Sequence, residues 1–517
     1  MNPRQQRYIP ILNANISGSL AKSEIELIKI DNEQPLIQEL LFAIQINNIR
    51  EKLNMLVRQK LHIDLPKDTF VQFLYQINQF SSDKNFLVIN KLQPENNAIF
   101  QELISSIPIK LRSNYENIDK KKLNDELLAL QNRSREFLAL EDVSIQSQPQ
   151  NIQNIYSTFK QQIKKYRTDL IPDHFRVKKL TEAKNLNLNF ARQRFATVIF
   201  EIIEEIYKDI NEMNTDNVNS CLDESFVINL VNDQNQPCTF EHFNINQFIN
   251  NQAKHYIISI NPDHNRPDYA NSLKIFTQLN KFDQKFIISK NYFLKLVQLY
   301  QVSNFDPSFD HFKLRLFILF RRYSSFNGSQ FVYSKEQKPK INEGSSFQVS
   351  IPPLLYKQLN IQGFTQELFS SPFNTYLSQY YSLFGDVDQY FNSYGNFFST
   401  KIKNIKSVAF LPHNGQFQLA CLDKLLELSS CCLFYFQNNN TEFDSQIEKQ
   451  AKIYQIFTPL TYWLVAGDSF RPNAQFYQQF QFPLIFAVLG DVKDKTFEFV
   501  DQIINNVDGL AVKVDEK

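Results

Sequence analysis

The spacing of apolar residues changes character partway along this 517-residue chain, and that change limits the folds open to it. Leu36, Leu40 and Ile44, then Ile49, Leu53, Leu56 and Leu61, recur at the interval that gathers side chains on one helix face. Pro35 stands where a helix can start and Pro66 follows, so one or two long amphipathic helices are predicted between them. The stretch 191–213 repeats the pattern with Phe195, Ile199, Ile202, Ile206 and Ile210, while Pro108, Pro149 and Pro172 break the shorter apolar groups between. After about residue 245 the signal shifts to short β-type runs, His255 to Ile260, Cys431 to Phe436 and Pro483 to Leu489, alternating with helical segments. The expected organisation is a flexible arm over 1–30, a mainly helical domain over 31–245, an α/β domain over 246–505 and a tail over 506–517. Two domains also suit the length, because single cores stop growing well before it. Polar clusters at Ser324 to Ser329 and Lys335 to Ser346 are predicted loops.

Charge excludes one broad class of partner interaction. Lys plus Arg is 55 and Asp plus Glu is 54, so no global field holds a polyanion, and a nucleic-acid site must be a local patch. The segment 158–195 supplies such a patch. Lys160, Lys164, Lys165, Arg167, Arg176, Lys178, Lys179, Lys184, Arg192 and Arg194 face only Asp169, Asp173 and Glu182 there, and Tyr166 and Phe175 interleave at positions able to stack on bases. Arg176, Lys178, Lys179, Arg192 and Arg194 are the candidate nucleic-acid contacts. A solvated helical face near a domain junction is the competing reading.

Glycine numbers only 10, so glycine loops are few, and no dinucleotide fingerprint, Walker A loop, nucleophile elbow or zincin helix is present. Five cysteines without a C-x-x-C pair argue against a disulfide framework and a structural zinc. His255 and His264 lack the spacing and carboxylate of a metal site, and Cys431 with Cys432 reads as buried packing. No apolar run approaches eighteen residues, so no membrane span is expected.

The stretch from Leu316 to Leu425 carries a specific resemblance. Leu316-Phe317-Ile318-Leu319-Phe320-Arg321-Arg322-Tyr323 reads as a helix ending in Arg-Arg-Tyr, Ser371-Pro372-Phe373-Asn374 follows, and Phe384, Asp386, Asp388, Tyr390, Phe391, Ser393 and Gly395 come next in order. These residues resemble the core of the cap-specific adenosine N6-methyltransferases, the phosphorylated-CTD-interacting factor family. The resemblance implies an N-terminal helical domain followed by a Rossmann-like class I methyltransferase core, an α+β or α/β architecture. It implies S-adenosyl-L-methionine as cofactor, with Asn374, Asp386, Asp388 and Gly395 as candidate cofactor residues, and no metal. It further implies capped RNA or another nucleic acid, and complex subunits, as partners, in the nucleus or alternatively the cytoplasm.

That family methylates the N6 amine of an adenosine beside a capped 5′ end through an Asn-Pro-Pro-Phe motif after a strand. The amino lone pair is delocalised into the ring, so a side-chain amide oxygen and a backbone carbonyl must hold the hydrogens and aim the nitrogen. Paired prolines fix φ and so aim the carbonyl, and the aromatic stacks on the extracted base. Here strand-like Val408 to Leu411 leads into Pro412-His413-Asn414-Gly415-Gln416-Phe417, so Asn414 and Phe417 are the candidate catalytic residues, with Gly415 and Gln416 in place of both prolines. Leu419 replaces an acidic residue, Gln437-Asn438-Asn439-Asn440-Thr441 replaces Trp-Arg-Glu-Pro, and Asn392 replaces a cofactor-side glycine. Asn414-Gly415 is also among the best turn dipeptides, and a plain turn is favoured over a working loop. Because Trp463 is the single tryptophan, the two-tryptophan WW module and its recruitment to phosphorylated polymerase tails are expected to be absent.

Three functions compete on this reading. The leading one is a methyltransferase-fold subunit with a decayed site that binds nucleic acid or organises a complex. The others are an active adenosine N6-methyltransferase and a protein-interaction scaffold that binds no RNA.

Overall fold

A computed structural model of the chain describes residues 36–61, 202, 205, 225–238, 248–249, 251–279, 284–303, 308–327, 348–377, 379–398, 406–413, 415–428, 430–437, 441–472, 476–490 and 497–505. Contacts divide the chain into two compact units, Met1–Ile44 with Leu74–Asn90 and Thr215–Lys517, and Gln45–Phe73 with Lys91–Asn214. The predicted arm, the tail, the loop at 335–346 and the basic segment 158–195 lie outside the described residues.

The periodic stretch after Pro35 is a single helix, α1 (Leu36–Leu61). Leu36, Leu40 and Ile44 are buried in the first unit, and Ile49, Leu53 and Leu56 in the second. Ile202 and Glu205 of the predicted 191–213 helix are helical, and Glu205 pairs with Lys52 at 3.4 Å.

An antiparallel sheet, β1 (Phe226–Asn232), β2 (His255–Pro262) and β3 (Lys285–Ser289), opens the described part of the first unit after α1, with α2 (Tyr269–Gln278) between the last two strands. Aromatic packing ties it to the helices that follow, α3 (Lys290–Ser303) and α4 (Phe309–Asn327). Tyr256 stacks on Phe293 at 4.0 Å, and Phe286 stacks on Phe320 at 5.3 Å. The predicted loop at Ser324 is instead the last turn of α4. Ser325 Oγ donates to the Arg321 carbonyl at 2.7 Å, and the Arg321 guanidinium donates to both serine hydroxyls, so Ser324 and Ser325 are satisfied inside the helix.

The second sheet runs β5-β4-β6-β7-β11-β8 across its width. Its elements in chain order are α5 (Pro353–Ile361), β4 (Gln366–Ser370), β5 (Gln379–Ser382), α6 (Gly385–Asp388), β6 (Lys406–Leu411), α7 (Gly415–Leu426), β7 (Ser430–Phe436), α8 (Thr441–Gln450), β8 (Ile453–Phe457), a short β9 (Leu464–Val465) and β10 (Tyr477–Gln478) pair, β11 (Leu484–Gly490) and α9 (Glu498–Asn505). β4, β5, β6 and β7 are parallel, while β11 enters antiparallel between β7 and β8. This is an α/β layer with a mixed sheet. All seven residues of β7 are buried, which explains its unbroken apolar run: a central strand covered on both faces has no solvent side. The chain leaves β4 toward β5 on one side and returns at β6 on the other, so the strand order reverses there and opens a crevice at the carboxyl ends.

Candidate functional site

A cleft lies at that reversal. It is lined by Ser370 at the end of β4, Ser382 and Leu383 at the end of β5, Pro412 after β6 and Phe417 in the first turn of α7, together with Gln348 and Asn396, and it encloses about 460 Å³ of space partly open to solvent. Phe369 forms its aromatic floor. Its backbone takes φ 60° where the β4–β5 register shifts, a left-handed conformation that costs a bulky residue energy and is found where surrounding structure over-determines it. The Phe369 ring meets Phe397 at 4.5 Å and Phe417 at 5.3 Å, and Phe398 meets Phe417 at 5.8 Å.

The turn after β4 carries the Ser-Pro-Phe-Asn residues, and Asn374 ties it together. Its Oδ1 accepts from the Ser371 backbone N–H at 2.7 Å and lies within reach of the Ser370 and Ser371 hydroxyls, while Nδ2 donates to the Gln348 carbonyl. Beneath the turn is a carboxylate that no motif indicated. Glu367, 2% exposed, accepts from the Tyr356 and Thr375 hydroxyls and from the Tyr376 and Leu377 backbone N–H groups at 2.7–3.3 Å, and Ser370 Oγ donates to it at 3.0 Å. Lys295 of α3 reaches the same turn, donating to the Phe373 carbonyl at 2.9 Å. Burial pulls the Lys295 ammonium down to about 7 against the attraction of Glu367, and burial raises the Glu367 carboxyl.

Asp386 and Asp388 face α4. Arg322 forks between two carboxylates, meeting Asp386 at 2.9 and 3.1 Å and Glu39 of α1 at 2.8 to 3.0 Å. Burial pulls the guanidinium pKa down, but Asp386 and Glu39 more than reverse this and raise it above its ordinary value. Burial raises the Glu39 carboxyl, with Arg322 pulling the other way. Tyr323 donates to Asp388 Oδ2 at 2.8 Å, and burial pushes the Asp388 carboxyl up to about 7. The Arg-Arg-Tyr and Asp-x-Asp motifs are therefore two halves of one buried cluster, and neither aspartate lines the cleft. Gly395 has φ 89° beside the cleft residue Asn396, and its carbonyl accepts from the Ser382 N–H at 2.9 Å. Asn392 sits at φ 66°, ψ 25°, the left-handed region that asparagine adopts more readily than other side-chain-bearing residues.

The third wall is the segment from β6 into α7. Asn414 and the five basic candidates Arg176, Lys178, Lys179, Arg192 and Arg194 lie outside the described residues. Phe417 is 3% exposed and packs edge-on against Phe369 and Phe398. Gly415 already belongs to α7, so its carbonyl points along the helix toward a partner one turn on. The Gln418 amide donates to the carbonyls of Pro412 and Phe436, both at 3.3 Å. His413 lies against Phe482 and Phe436 at 4.4 and 5.6 Å, and burial lowers its pKa to about 4, so the ring is neutral at neutral pH. Cys431 and Cys421 are buried with their thiols pushed above the usual range by burial, which leaves little thiolate for reaction.

Glu39, Lys295, Glu367 and Phe369 carry the site's architecture and were not found from sequence. Glu39 alone left a trace, an acidic residue between Leu36 and Leu40 on an otherwise apolar helix face.

A family profile described as "Phosphorylated CTD interacting factor 1 WW domain" matches residues 295–433. The expectation of a chain without that module, and without its route to the polymerase tail, is withdrawn on this match. The matched residues hold no tryptophan and run from α3 into β7. Two curated relatives are named mRNA (2'-O-methyladenosine-N(6)-)-methyltransferase. The protein from Homo sapiens is 38% identical and that from Mus musculus 37%, each over 110 residues. That alignment covers 21% of this chain and 14% of each relative, so the chain spans about one seventh of their length in the match. No described helix is long and apolar enough to cross a membrane.

Proposed function

We propose a function from the premise that residues 295–433 place this chain in the phosphorylated-CTD-interacting factor family: a Rossmann-like class I methyltransferase core that binds S-adenosyl-L-methionine and engages capped RNA, with a weakened catalytic loop. The crevice at the reversal of strand order supports the cofactor reading, because ligands of such sheets bind outside the carboxyl ends of the strands. The amide groups of Gln348 and Asn396 line the cleft beside the Ser370 and Ser382 hydroxyls, which also bond Glu367 and Ser393, and Phe369 and Phe397 offer ring faces to an adenosyl or amino-acid moiety. This donor set fits the cofactor. When bound, S-adenosyl-L-methionine supplies an electrophilic methyl group. Asn374 and Gly395 shape the two loops that carry these residues, and Asp386 and Asp388 hold the second loop to α4.

One observation carries the weakened-loop reading. The helix starts at Gly415, so the backbone carbonyl that should hold an amine hydrogen is directed along α7, and Phe417 is packed between Phe369 and Phe398. Nothing in Gly-Gln replaces the φ restraint of two prolines. An acceptor without preorganisation loses most of the advantage such sites depend on. The chain then serves by binding capped RNA or by organising a complex. Its compartment on this proposal is the nucleus, where capped transcripts are made.

Calorimetric titration of the purified full chain with S-adenosyl-L-methionine tests the cofactor half, with micromolar binding expected and none up to millimolar overturning it. Methyl transfer to RNA capped beside 2'-O-methyladenosine tests the other half. Little or no transfer is expected, and robust transfer abolished by Asn414→Ala would sink the weakened-loop reading.

A further inference from the structure

The turn from Ser370 to Leu377 begins at the cleft residue Ser370 and is tied internally by Asn374, and buried charges hold it from outside. Three of its polar groups, the Thr375 hydroxyl and the Tyr376 and Leu377 N–H groups, donate to a single oxygen, Glu367 Oε2. The other oxygen accepts from Ser370 Oγ, itself a cleft residue, and from Tyr356. The only side-chain cation reaching the turn among the described residues is Lys295, donating to the Phe373 carbonyl, with the rings of Tyr376 and Tyr292 5.0 and 5.4 Å from its nitrogen.

We propose that Lys295 and Glu367 are positioning residues that clamp the 370–377 turn, one at Phe373 and the other at Ser370 and Thr375 to Leu377, and thereby set the shape of the cofactor cleft. This rests on the reading of the cleft as a cofactor site. A buried lysine and a buried glutamate are each costly to desolvate, and a core built only for stability would carry apolar residues of similar volume at both places. What the charges add here is direction. Charge-assisted hydrogen bonds are short and aimed, and five donors converge on Glu367 while Lys295 fixes the one carbonyl between Pro372 and Asn374. Asn374 then distributes that fixed geometry to Ser370, Ser371 and Gln348, two of which line the cleft. Neither residue of the clamp lines the cleft itself, so their influence on a ligand passes through the turn.

The test uses the full chain and two readouts. Hydrogen exchange followed by mass spectrometry compares the peptide over 370–377 with the central strand over 430–436 in wild type, Lys295→Met and the milder Glu367→Gln, and calorimetry measures S-adenosyl-L-methionine affinity in all three. Expected in both variants are faster exchange in 370–377, unchanged protection in 430–436 and roughly tenfold weaker binding, the loss of about one charged hydrogen bond. Lys295→Arg, which keeps a donor, is expected to recover part of the affinity. Unchanged exchange in 370–377, or faster exchange with unchanged affinity, overturns the proposal. Exchange slowed nowhere but hastened everywhere means a general stability role and overturns it equally. A wild-type chain that binds no cofactor removes the underlying reading instead, and the exchange comparison still decides whether the clamp exists.

Discussion

Arg322 with its two carboxylates and the loop from Pro412 to Phe417 lie in the same matched stretch, and they are held in opposite ways. Arg322 is 2% exposed, every bond it makes to Glu39 and Asp386 is an aimed, charge-assisted one, and its two partners come from two other elements, α1 and α6. The loop is held by aromatic contact at His413 and Phe417 and by one glutamine side chain on two carbonyls. Arg322, Asp386 and Tyr323, among the residues that look most like the family, are therefore committed to internal partners and report on the fold. Of the residues that differ, Gly415 and Gln416 lie between the cleft residues Pro412 and Phe417. A retained motif is thus weak evidence for chemistry when its atoms are already committed to each other.

The strongest way to break this contrast is Arg322→Met. It leaves two buried carboxylates facing each other without a cation, and breaking a buried pair in this way costs about 3–5 kcal/mol. Thermal unfolding by circular dichroism is expected to show loss of the cooperative transition at physiological temperature, with partial recovery on acidification because protonated carboxyls need no partner. Arg322→Lys is expected to fall between, since a point charge cannot fork to both partners. A wild-type melting temperature for Arg322→Met would mean that the cluster contributes nothing to the fold.

The opposite region is sharpened by restoring what it lacks. Gly415→Pro with Gln416→Pro rebuilds the family's tetrapeptide where a missing N–H leaves no intrahelical hydrogen bond broken, and proline at 416 moves residue 415 out of the α region, so that its carbonyl leaves the axis of α7. Stability is expected to be held or slightly raised, and methyl transfer to capped RNA to rise roughly ten- to a hundredfold, the scale of correcting a misplaced reacting group. No rise, with the cofactor still bound, would place the defect elsewhere, at Leu419 or in the 437–441 segment.

How much of this was legible in the sequence depended on range. α1 and β7 were readable because their signal is local: a helical interval of leucines and isoleucines, and a six-residue run from Cys431 to Phe436 with no polar interruption. The end of α4 was misread because Ser324 and Ser325 look like loop chemistry until Arg321, one turn back, is seen to satisfy them. Glu39 and Arg322 are 283 residues apart, and Lys295 and Glu367 come from different layers, so no spacing rule joins them. The ordered match of Asp386 and Asp388 located the right segment and left its partners invisible, because a motif records identity and not direction. Asn414 and the basic segment lie outside the described residues and stay as expectations.

A smaller effect tests whether the loop carrying Asp386 tolerated its substitution without loss of shape. Asn392 replaces a glycine in the resembled motif yet keeps the left-handed backbone, which asparagine accepts at low cost and alanine does not. Asn392→Ala is expected to lower stability by about 1–2 kcal/mol, and Asn392→Gly to leave it nearly unchanged. Equal melting temperatures for the two variants would show that the backbone there relaxes to another conformation.

The smallest expected effect belongs to His413, and its sign separates the two regions by pH. Burial lowers its pKa to about 4 from an ordinary 6.5, so the folded state takes up this proton less readily than the unfolded one. The contribution is present above about 6.5 and is lost as pH falls toward 4. Asp388 in the other region runs the opposite way: its carboxyl is raised to about 7 from 3.8, so its contribution is largest at acid pH and is lost as pH rises across that window. Measured on wild type alone, the two would partly cancel. Comparing wild type with His413→Leu removes this, because Asp388 is common to both. The difference in melting temperature in favour of wild type is expected to shrink as pH falls from 6.5 to 4. A difference that stays flat across that range would mean that the ring opens to solvent when protonated, and that the aromatic slot formed by Phe436 and Phe482 does not hold the loop.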